Sequence, residues 1–182
     1  QSREKTYRLL IEGSRTGLII SRISDLAVLH VNQKFCIDSG FSFDEALALS
    51  TEEFLNDWDY QQIETLFSAL LNHPKGQQQW TYQSGDLVHK NGSIFPVKAW
   101  THVTEWEGEP VFATVVLDIS EQQRIEQALS ASEQKYRQLF DALPDSVALF
   151  DEAGILIDCN QEMASSHGWS REELIGQPVA LL

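Results

Sequence analysis

Basic residues, cysteines and long apolar runs are all scarce in this chain of 182 residues. Lys and Arg number 13 against 27 Asp and Glu, which gives a formal net charge of −14. An anionic surface repels phosphate backbones and anionic lipid headgroups, so we expect no nucleic-acid partner and no membrane contact. No apolar run approaches the ~18 residues that a membrane span needs, and no signal peptide opens the sequence.

The two cysteines, Cys36 and Cys159, belong to no C-x-x-C pair and to no Cys/His cluster. We therefore predict two buried, reduced thiols, as in a reducing compartment. The histidines are also scattered, so no metal site is predicted. A cytoplasmic location is expected, with a membrane anchor elsewhere in the parent protein left open.

The beginning of the chain recurs about 128 residues later. Asn32 and Gln33 recur as Asn160 and Gln161, and the Gly40 segment recurs around Gly168. A repeat of this length indicates a duplicated globular domain. Because the second copy stops early, we expect a fragment of a longer modular protein.

Hydrophobic alternation and turn residues predict an α+β domain. Two strands should precede several small helices, a longer helix should cover residues 60–71, and three strands should follow. The Asn91-Gly92 pair predicts a two-residue hairpin turn between the first two of those three strands. The expected product is an antiparallel five-stranded sheet with small helices on one face.

The last strand of this sheet is apolar on both faces, so both faces need a cover. We assign Val115 to the inner face with Phe95. The outer face should be covered by the N-terminal helix or by a second subunit. That predicted outer-sheet surface comprises Trp100, Phe112 and Val116.

A long helix is predicted over residues 121–143, which contain no Gly or Pro. Its apolar residues repeat with heptad spacing, as in a two-stranded coiled coil. The predicted seam comprises Ile125, Leu129, Ser132, Tyr136, Leu139 and Leu143. We predict a parallel homodimer through this helix. The alternative is a solitary helix lying on the preceding domain.

These features together resemble the PAS family. The resemblance covers about 105 residues of the first copy. It rests on the Gly17 strand, on the segments 31–35, 40–45 and 89–97, on Trp58, and on 118–120 before a charged helix. The start of the second copy resembles a second PAS domain. The implied division is a flanking helix at 1–13, a PAS domain at 14–120, a signalling coiled-coil helix at 121–143, and part of a second PAS domain at 144–182.

The resemblance implies a sensory module that relays a change through the helix to an output domain in the same polypeptide. A sensor histidine kinase is the favoured output, and a diguanylate cyclase or phosphodiesterase is the alternative. A transcription regulator with a DNA-binding output is a third option. The junction of Asp118, Ile119 and Ser120 is the expected relay. No phosphate loop or nucleophile elbow is present, so no catalytic site is predicted in this chain.

The resemblance also raises the question of a cofactor. The segment 50–54 lacks the Cys of flavin-adduct domains, and the predicted helix at 60–71 lacks a His for haem. A non-covalent flavin or a small apolar metabolite stays open. The candidate pocket residues are Phe35, Trp58, Ile63, Phe67, Trp80, Phe95, Val97, Ala99 and Val115. A fully packed core is equally compatible with these residues. In that case the domain would be a ligand-free dimerisation module.

Overall fold

The computed structural model describes residues 12–56, 68, 80–178 and 180, apart from the side chain of His167. The chain forms two compact units that divide between Gln123 and Arg124. We call them the first unit and the second unit. The flanking helix predicted at 1–13 lies almost wholly outside the described residues, and the helix predicted at 60–71 lies outside them except for Ser68.

The first unit is built on a five-stranded antiparallel sheet in the order β2-β1-β5-β4-β3. This confirms the predicted sheet. Three of the four strand pairings have an unbroken register, whereas the pairing of β1 with β2 has an irregularity between Ile20 and Ser21. The strands are β1 (Gly17–Arg22), β2 (Val28–Val31), β3 (Thr81–Val88), β4 (Ile94–Trp106) and β5 (Glu109–Asp118).

Small helices follow β2: α1 (Gln33–Ser39), α2 (Phe43–Leu47) and a 3-10 helix (Thr51–Phe54). The side chain of Asn32 caps α1, because its Oδ1 accepts from the amide of Phe35 at 3.0 Å. Helix α2 begins with a capping box.

That capping box consists of reciprocal hydrogen bonds. The Glu45 amide donates to Ser42 Oγ at 3.3 Å, and the Ser42 amide donates to Glu45 Oε2 at 2.9 Å. Each satisfies a backbone group that the first helical turn would otherwise leave unpaired.

The core of the first unit lies between these helices and one face of the sheet, which we call the inner face. Strand β5 is buried on both faces, as predicted. Phe112 and Val116 are buried on the inner face, while Val111 (0% exposed) and Ala113 (9%) are buried on the outer face. The core residues are Ile19, Val28, Val31, Phe35, Ala46, Phe54, Leu87, Phe95, Val97 and Val116.

The second unit repeats the start of this architecture. The linker helix α3 (Ser120–Asp141) leads into it and is followed by a two-stranded antiparallel sheet and two short helices. Leu156, Cys159, Met163, Ala164 and Leu174 form its core. The remaining elements are β6 (Ala148–Phe150), β7 (Leu156–Cys159), α4 (Gln161–His167) and α5 (Arg171–Leu174).

Candidate functional site

The inner face of the first unit gathers part of the candidate pocket. Phe35, Phe95 and Val97 pack in one buried cluster. Ala99 faces the same side, because it lies directly opposite Val116 of that cluster. The candidates Trp58, Ile63 and Phe67 lie outside the described residues.

Two other pocket candidates are on the opposite face, so their assignment is wrong. Val115 lies directly opposite Trp100, on the outer face. Trp80 also lies on that face: it is 45% exposed, and its ring meets the ring of His102 at 4.1 Å. Alternation cannot choose a face for a strand such as β5, because both of its faces are apolar.

The predicted outer-sheet surface needs the matching correction. Trp100 is on the outer face, where its ring lies 5.6 Å from that of Tyr82. Phe112 and Val116 are not beside it, because Phe112 lies opposite Val103, and Val116 opposite Ala99 in the inner core. A surface made of Trp100, Phe112 and Val116 therefore does not exist in this fold.

The inner face also carries buried hydroxyl groups that the sequence analysis did not single out. Thr101 and Thr114 lie opposite each other, and their Oγ1 atoms are 2.9 Å apart in a hydrogen bond. Ser21 is buried on the same face, opposite Phe112. The alternation of β4 places Thr101 in step with Val97 and Ala99, and that signal was enough to find it.

The relay candidates join the sheet directly to the linker helix. The Ile119 amide donates to the carbonyl of Pro96 on β4 at 3.0 Å, and the Gln123 amide donates to the carbonyl of Ile119 at 2.9 Å. Ile119 thus ends the sheet and begins the helical hydrogen bonds. Its side chain is buried.

The linker helix spans residues 120–141, whereas the prediction was 121–143, so Leu143 lies beyond its end. The side chain of Asp118 supplies a cap interaction, since its Oδ1 accepts from the Ser120 amide at 2.7 Å.

The predicted seam of the linker helix is open to solvent. Ile125 and Leu129 are about as exposed as Leu139, which is 62% exposed. Tyr136 and Leu143 are exposed at the C-terminal end, and Ser132 is exposed in the middle. An apolar stripe of this length at the surface is a feature of partner-binding helices.

The second unit contains a charged cluster that the sequence analysis missed. Arg137 of α3 forms a bidentate pair with Asp158 of β7, at 3.2 Å (Nη1–Oδ1) and 3.1 Å (Nη2–Oδ2). Arg171, the first residue of α5, donates to Asp158 Oδ1 from Nε at 3.0 Å and from Nη2 at 2.6 Å. We call these three residues the clamp. The two pairings join residues 21 and 13 positions apart, so no local sequence pattern indicates them.

Burial opposes the charge on Asp158, but the hydrogen bonds from Arg137 and Arg171 outweigh it and hold the pKa of Asp158 below its ordinary value. The same hydrogen bond raises the pKa of Arg137. Asp158 and Arg137 are therefore both ionised at neutral pH.

The cysteine prediction holds for one residue and in part for the other. Cys159 is buried and Cys36 is half-buried, and neither forms a disulfide. Burial raises the pKa of both thiols. Within the described ranges, three or more metal-binding side chains do not come together anywhere. The helices among these residues are too short or too polar to cross a bilayer.

Comparison with known families gives two matches, one for each unit. A model described as a PAS domain matches residues 15–121, and a model described as the PAS fold matches residues 134–182. The first match spans more than half of the chain. The chain belongs to the PAS family.

The first PAS domain also resembles solved PAS structures. The PAS domain of an HTR-like protein from Haloarcula marismortui is 24% identical with a TM-score of 0.56, over 65% of this chain and 93% of that one. A domain of a sensory box sensor histidine kinase/response regulator from Geobacter sulfurreducens is 20% identical with a TM-score of 0.53, over 64% and 94%. At these identities the likeness shows the fold.

A curated relative is Sporulation kinase E of Bacillus subtilis (strain 168), which is 37% identical over 67 residues. The match covers 37% of this chain and 9% of the kinase. The chain is thus homologous to a small part of a much longer kinase.

Both PAS domains are organised around one buried asparagine. Asn32 Oδ1 accepts from the amides of Leu18 (2.8 Å) and Phe35 (3.0 Å), and Asn160 Oδ1 accepts from those of Val147 (2.9 Å) and Met163 (3.0 Å). Each asparagine also donates from Nδ2 to a backbone carbonyl upstream. The repeated sequence therefore encodes a repeated hydrogen-bond hub, which joins the first strand of each domain to its first helix.

Proposed function

We propose that this chain is the sensory part of a signalling protein with a histidine-kinase output. In this proposal the first PAS domain changes state on binding a small molecule or a partner. The change passes through the linker helix, paired with its copy in a parallel coiled coil, to the second PAS domain and to the kinase. The homology to a sporulation kinase supports the choice of output.

One observation carries the proposal: an exposed heptad stripe begins directly beyond a hydrogen-bonded junction with the sheet. Ile119 donates to Pro96, which precedes the core residue Val97 in β4. A change in the inner face therefore has a short covalent and hydrogen-bonded path to the first turn of the helix. Five residues of the helix, followed by Leu143 two positions beyond its end, then repeat with the spacing that pairs two helices.

The stripe is expected to pair with a second copy of itself. Its residues are apolar and exposed, and in a parallel pair each would meet its own symmetry mate. Ser132 in the middle adds little packing, so the pair should be weak enough to respond to small changes at its ends.

The test of the coil is the mass of the chain in solution, measured by light scattering. We expect a dimer for the wild type and a monomer for Leu129→Asp/Leu139→Asp, because a charge at each seam position would be buried against its copy. Gln127→Asp/Gln138→Asp is the matched control, since it adds the same charges to exposed positions away from the stripe. A monomeric wild type, or a dimer in both variants, would refute the coil.

For the sensing step we propose the inner face as the ligand surface. Phe35, Phe95, Val97 and Ala99 would supply the apolar wall, and the Thr101–Thr114 pair would supply hydrogen bonds. Native mass spectrometry and an absorption spectrum of the purified chain test this step. Extra mass that is lost in Thr101→Val would support it, and a bare chain would favour a ligand-free dimerisation module.

A further inference from the structure

Three side chains in the last turns of the linker helix form hydrogen bonds with the second PAS domain, and a fourth is buried. Tyr136 Oη donates to Asp158 Oδ2 at 3.4 Å. Arg137 is held by Asp158 through two hydrogen bonds. Phe140 is buried, with its ring stacked on that of Tyr136 at 5.3 Å. Asp141 Oδ1 accepts from the amide of Gln161 at 3.0 Å, which occupies a free donor at the start of α4.

The clamp has strong geometry at its centre. The side chain of Asp158 is 15% exposed, and both of its oxygens accept from guanidinium groups. Planar, bidentate pairing fixes the direction of an arginine as well as its position. Arg171 of α5 also donates to Asp158. The carboxylate that accepts from Arg137 therefore cannot rotate freely.

Arg137, Phe140 and Asp141 lie on a different side of the helix from most of the seam. At 100° per residue, that side is about 110° around the axis from the seam. Tyr136 joins the two sides, because it belongs to the seam, stacks on Phe140 and donates from its hydroxyl to Asp158 Oδ2 at 3.4 Å. The seam residues Ile125, Leu129 and Leu139 are exposed, so they can pair with a second copy while the helix keeps its contacts with the second PAS domain.

The PAS fold does not require the clamp. In the first PAS domain the position of Asp158 is taken by His30, and that of Arg171 by Phe43. His30 there stacks on Trp106 at 5.5 Å and meets the edge of Phe43 at 5.7 Å. His30 Nε2 also lies 3.9 Å from Glu12 Oε1. A domain of this family therefore forms with aromatic side chains at both positions, without the two arginines of the clamp.

We propose that Asp158 is a positioning residue that sets the rotation of the linker helix on the second PAS domain, so that the helix and this domain turn as one body. This inference rests on the proposed relay and describes its second step, from the linker helix to the second PAS domain. A change in the rotation of the paired helices would then reach the second PAS domain as a rotation of the whole domain.

The test measures the distance from the helix to the second PAS domain in the full chain. Spin labels on noncanonical residues at Gln134 of the helix and Glu152 of the turn between β6 and β7 avoid the native cysteines. We expect a narrow distance distribution in the wild type, and one at least about twofold broader in Asp158→Asn. Lys135→Gln is the control, because it removes one positive charge from the same helix outside the clamp. It should leave the distribution narrow.

Arg171→Phe/Asp158→His places the residues of the first PAS domain in the second and keeps the test independent of misfolding. Hydrogen exchange of β7 and α4 should stay slow in this variant, while exchange at residues 137–143 rises by about tenfold. A narrow, unshifted distribution in Asp158→Asn would overturn the proposal. The mass measurement is separate: a wild-type monomer with a narrow distribution would refute the coiled coil and leave the clamp standing.

Discussion

The two PAS domains have equivalent hydrogen-bond hubs in their cores and differ at one residue of their second strands. Each has the same buried asparagine hub, and each has a carboxylate of the preceding helical segment on the first amide of its first helix. Glu12 accepts from Gln33 at 2.9 Å, and Asp141 accepts from Gln161 at 3.0 Å. The equivalent position in the second strand is His30 in the first domain and Asp158 in the second.

This comparison separates what the fold needs from what each domain adds. The hub satisfies backbone groups that would otherwise be buried without partners, so its residue cannot vary freely. The neighbouring, partly buried position of His30 and Asp158 has no such requirement. It holds a histidine among aromatic rings in the first domain and a carboxylate between two arginines in the second.

The largest expected effect is the loss of stability when the shared asparagine is removed. Asn32→Ala should destabilise the first PAS domain by about 3 kcal/mol or more, because it leaves buried backbone groups without hydrogen bonds. Asn160→Ala should do the same to the second. Hydrogen exchange should locate the loss in β1 and β2 for the first variant and in β6 and β7 for the second. Equal loss in both domains from either variant would mean that the two cores are not independent.

A smaller effect should distinguish two glycines that end equivalent helices. Gly40 and Gly168 have φ of +76° and +71°, but a Cβ at Gly40 would lie 2.3 Å from the His89 ring, whereas one at Gly168 would meet no atom within 4 Å. We expect Gly168→Ala to cost about 1 kcal/mol from backbone strain alone, and Gly40→Ala to cost about 2 to 3 kcal/mol. Chemical denaturation measures both.

The matching control for that pair is Gly40→Ala/His89→Ala, which removes the obstructing ring. The loss in free energy of unfolding from His89→Ala to this double variant should be no larger than the loss caused by Gly168→Ala. If the cost stays higher, the difference comes from something besides the histidine.

The smallest effect concerns the capping glutamates. The hydrogen bond from Lys90 and the amide of Ser42 lower the pKa of Glu45 from 4.5 to about 2, whereas the Ser42 equivalent, Ser170, lowers the pKa of Glu173 without a lysine. Because the folded-state pKa of Glu45 is depressed, its stabilising contribution is complete above the unfolded pKa and is lost as pH falls from about 4.5 to about 2.

Nuclear magnetic resonance titration of the two side chains measures this difference. In Lys90→Gln the pKa of Glu45 should rise toward that of Glu173, while the pKa of Glu173 stays unchanged. If the pKa of Glu45 is the same in this variant as in the wild type, the Ser42 cap alone sets that pKa.

The sequence predicts those parts of the fold that depend on local pattern. Strand β4 has one apolar face, so alternation places Phe95, Val97 and Ala99 correctly on one side. Strand β5 is apolar on both faces, and only its pairing with β4 shows that Val115 lies beside Trp100 and Val116 opposite Ala99. Register is a property of two strands, and alternation within one strand does not contain it.

The same limit explains the missed clamp. Arg137, Asp158 and Arg171 look like ordinary surface charges in the sequence, since charged residues on helices and turns are common. The duplicated domain contained a usable signal, because His30 and Asp158 are aligned by the repeat and differ in charge. A position that changes chemistry between two copies of one fold is a place to look for function.

Pro96 decides where the sheet of the first PAS domain gives way to the linker helix. Its carbonyl accepts the amide of Ile119, as in any antiparallel pair, but proline has no N–H to return the bond. The Ile119 carbonyl is thereby left to the Gln123 amide, which makes an early hydrogen bond of the helix. An alanine at residue 96 would offer that carbonyl a second donor, and a carbonyl oxygen can accept two hydrogen bonds. Strand pairing would then extend into the first turn of the helix, and the boundary between them would be less sharply defined.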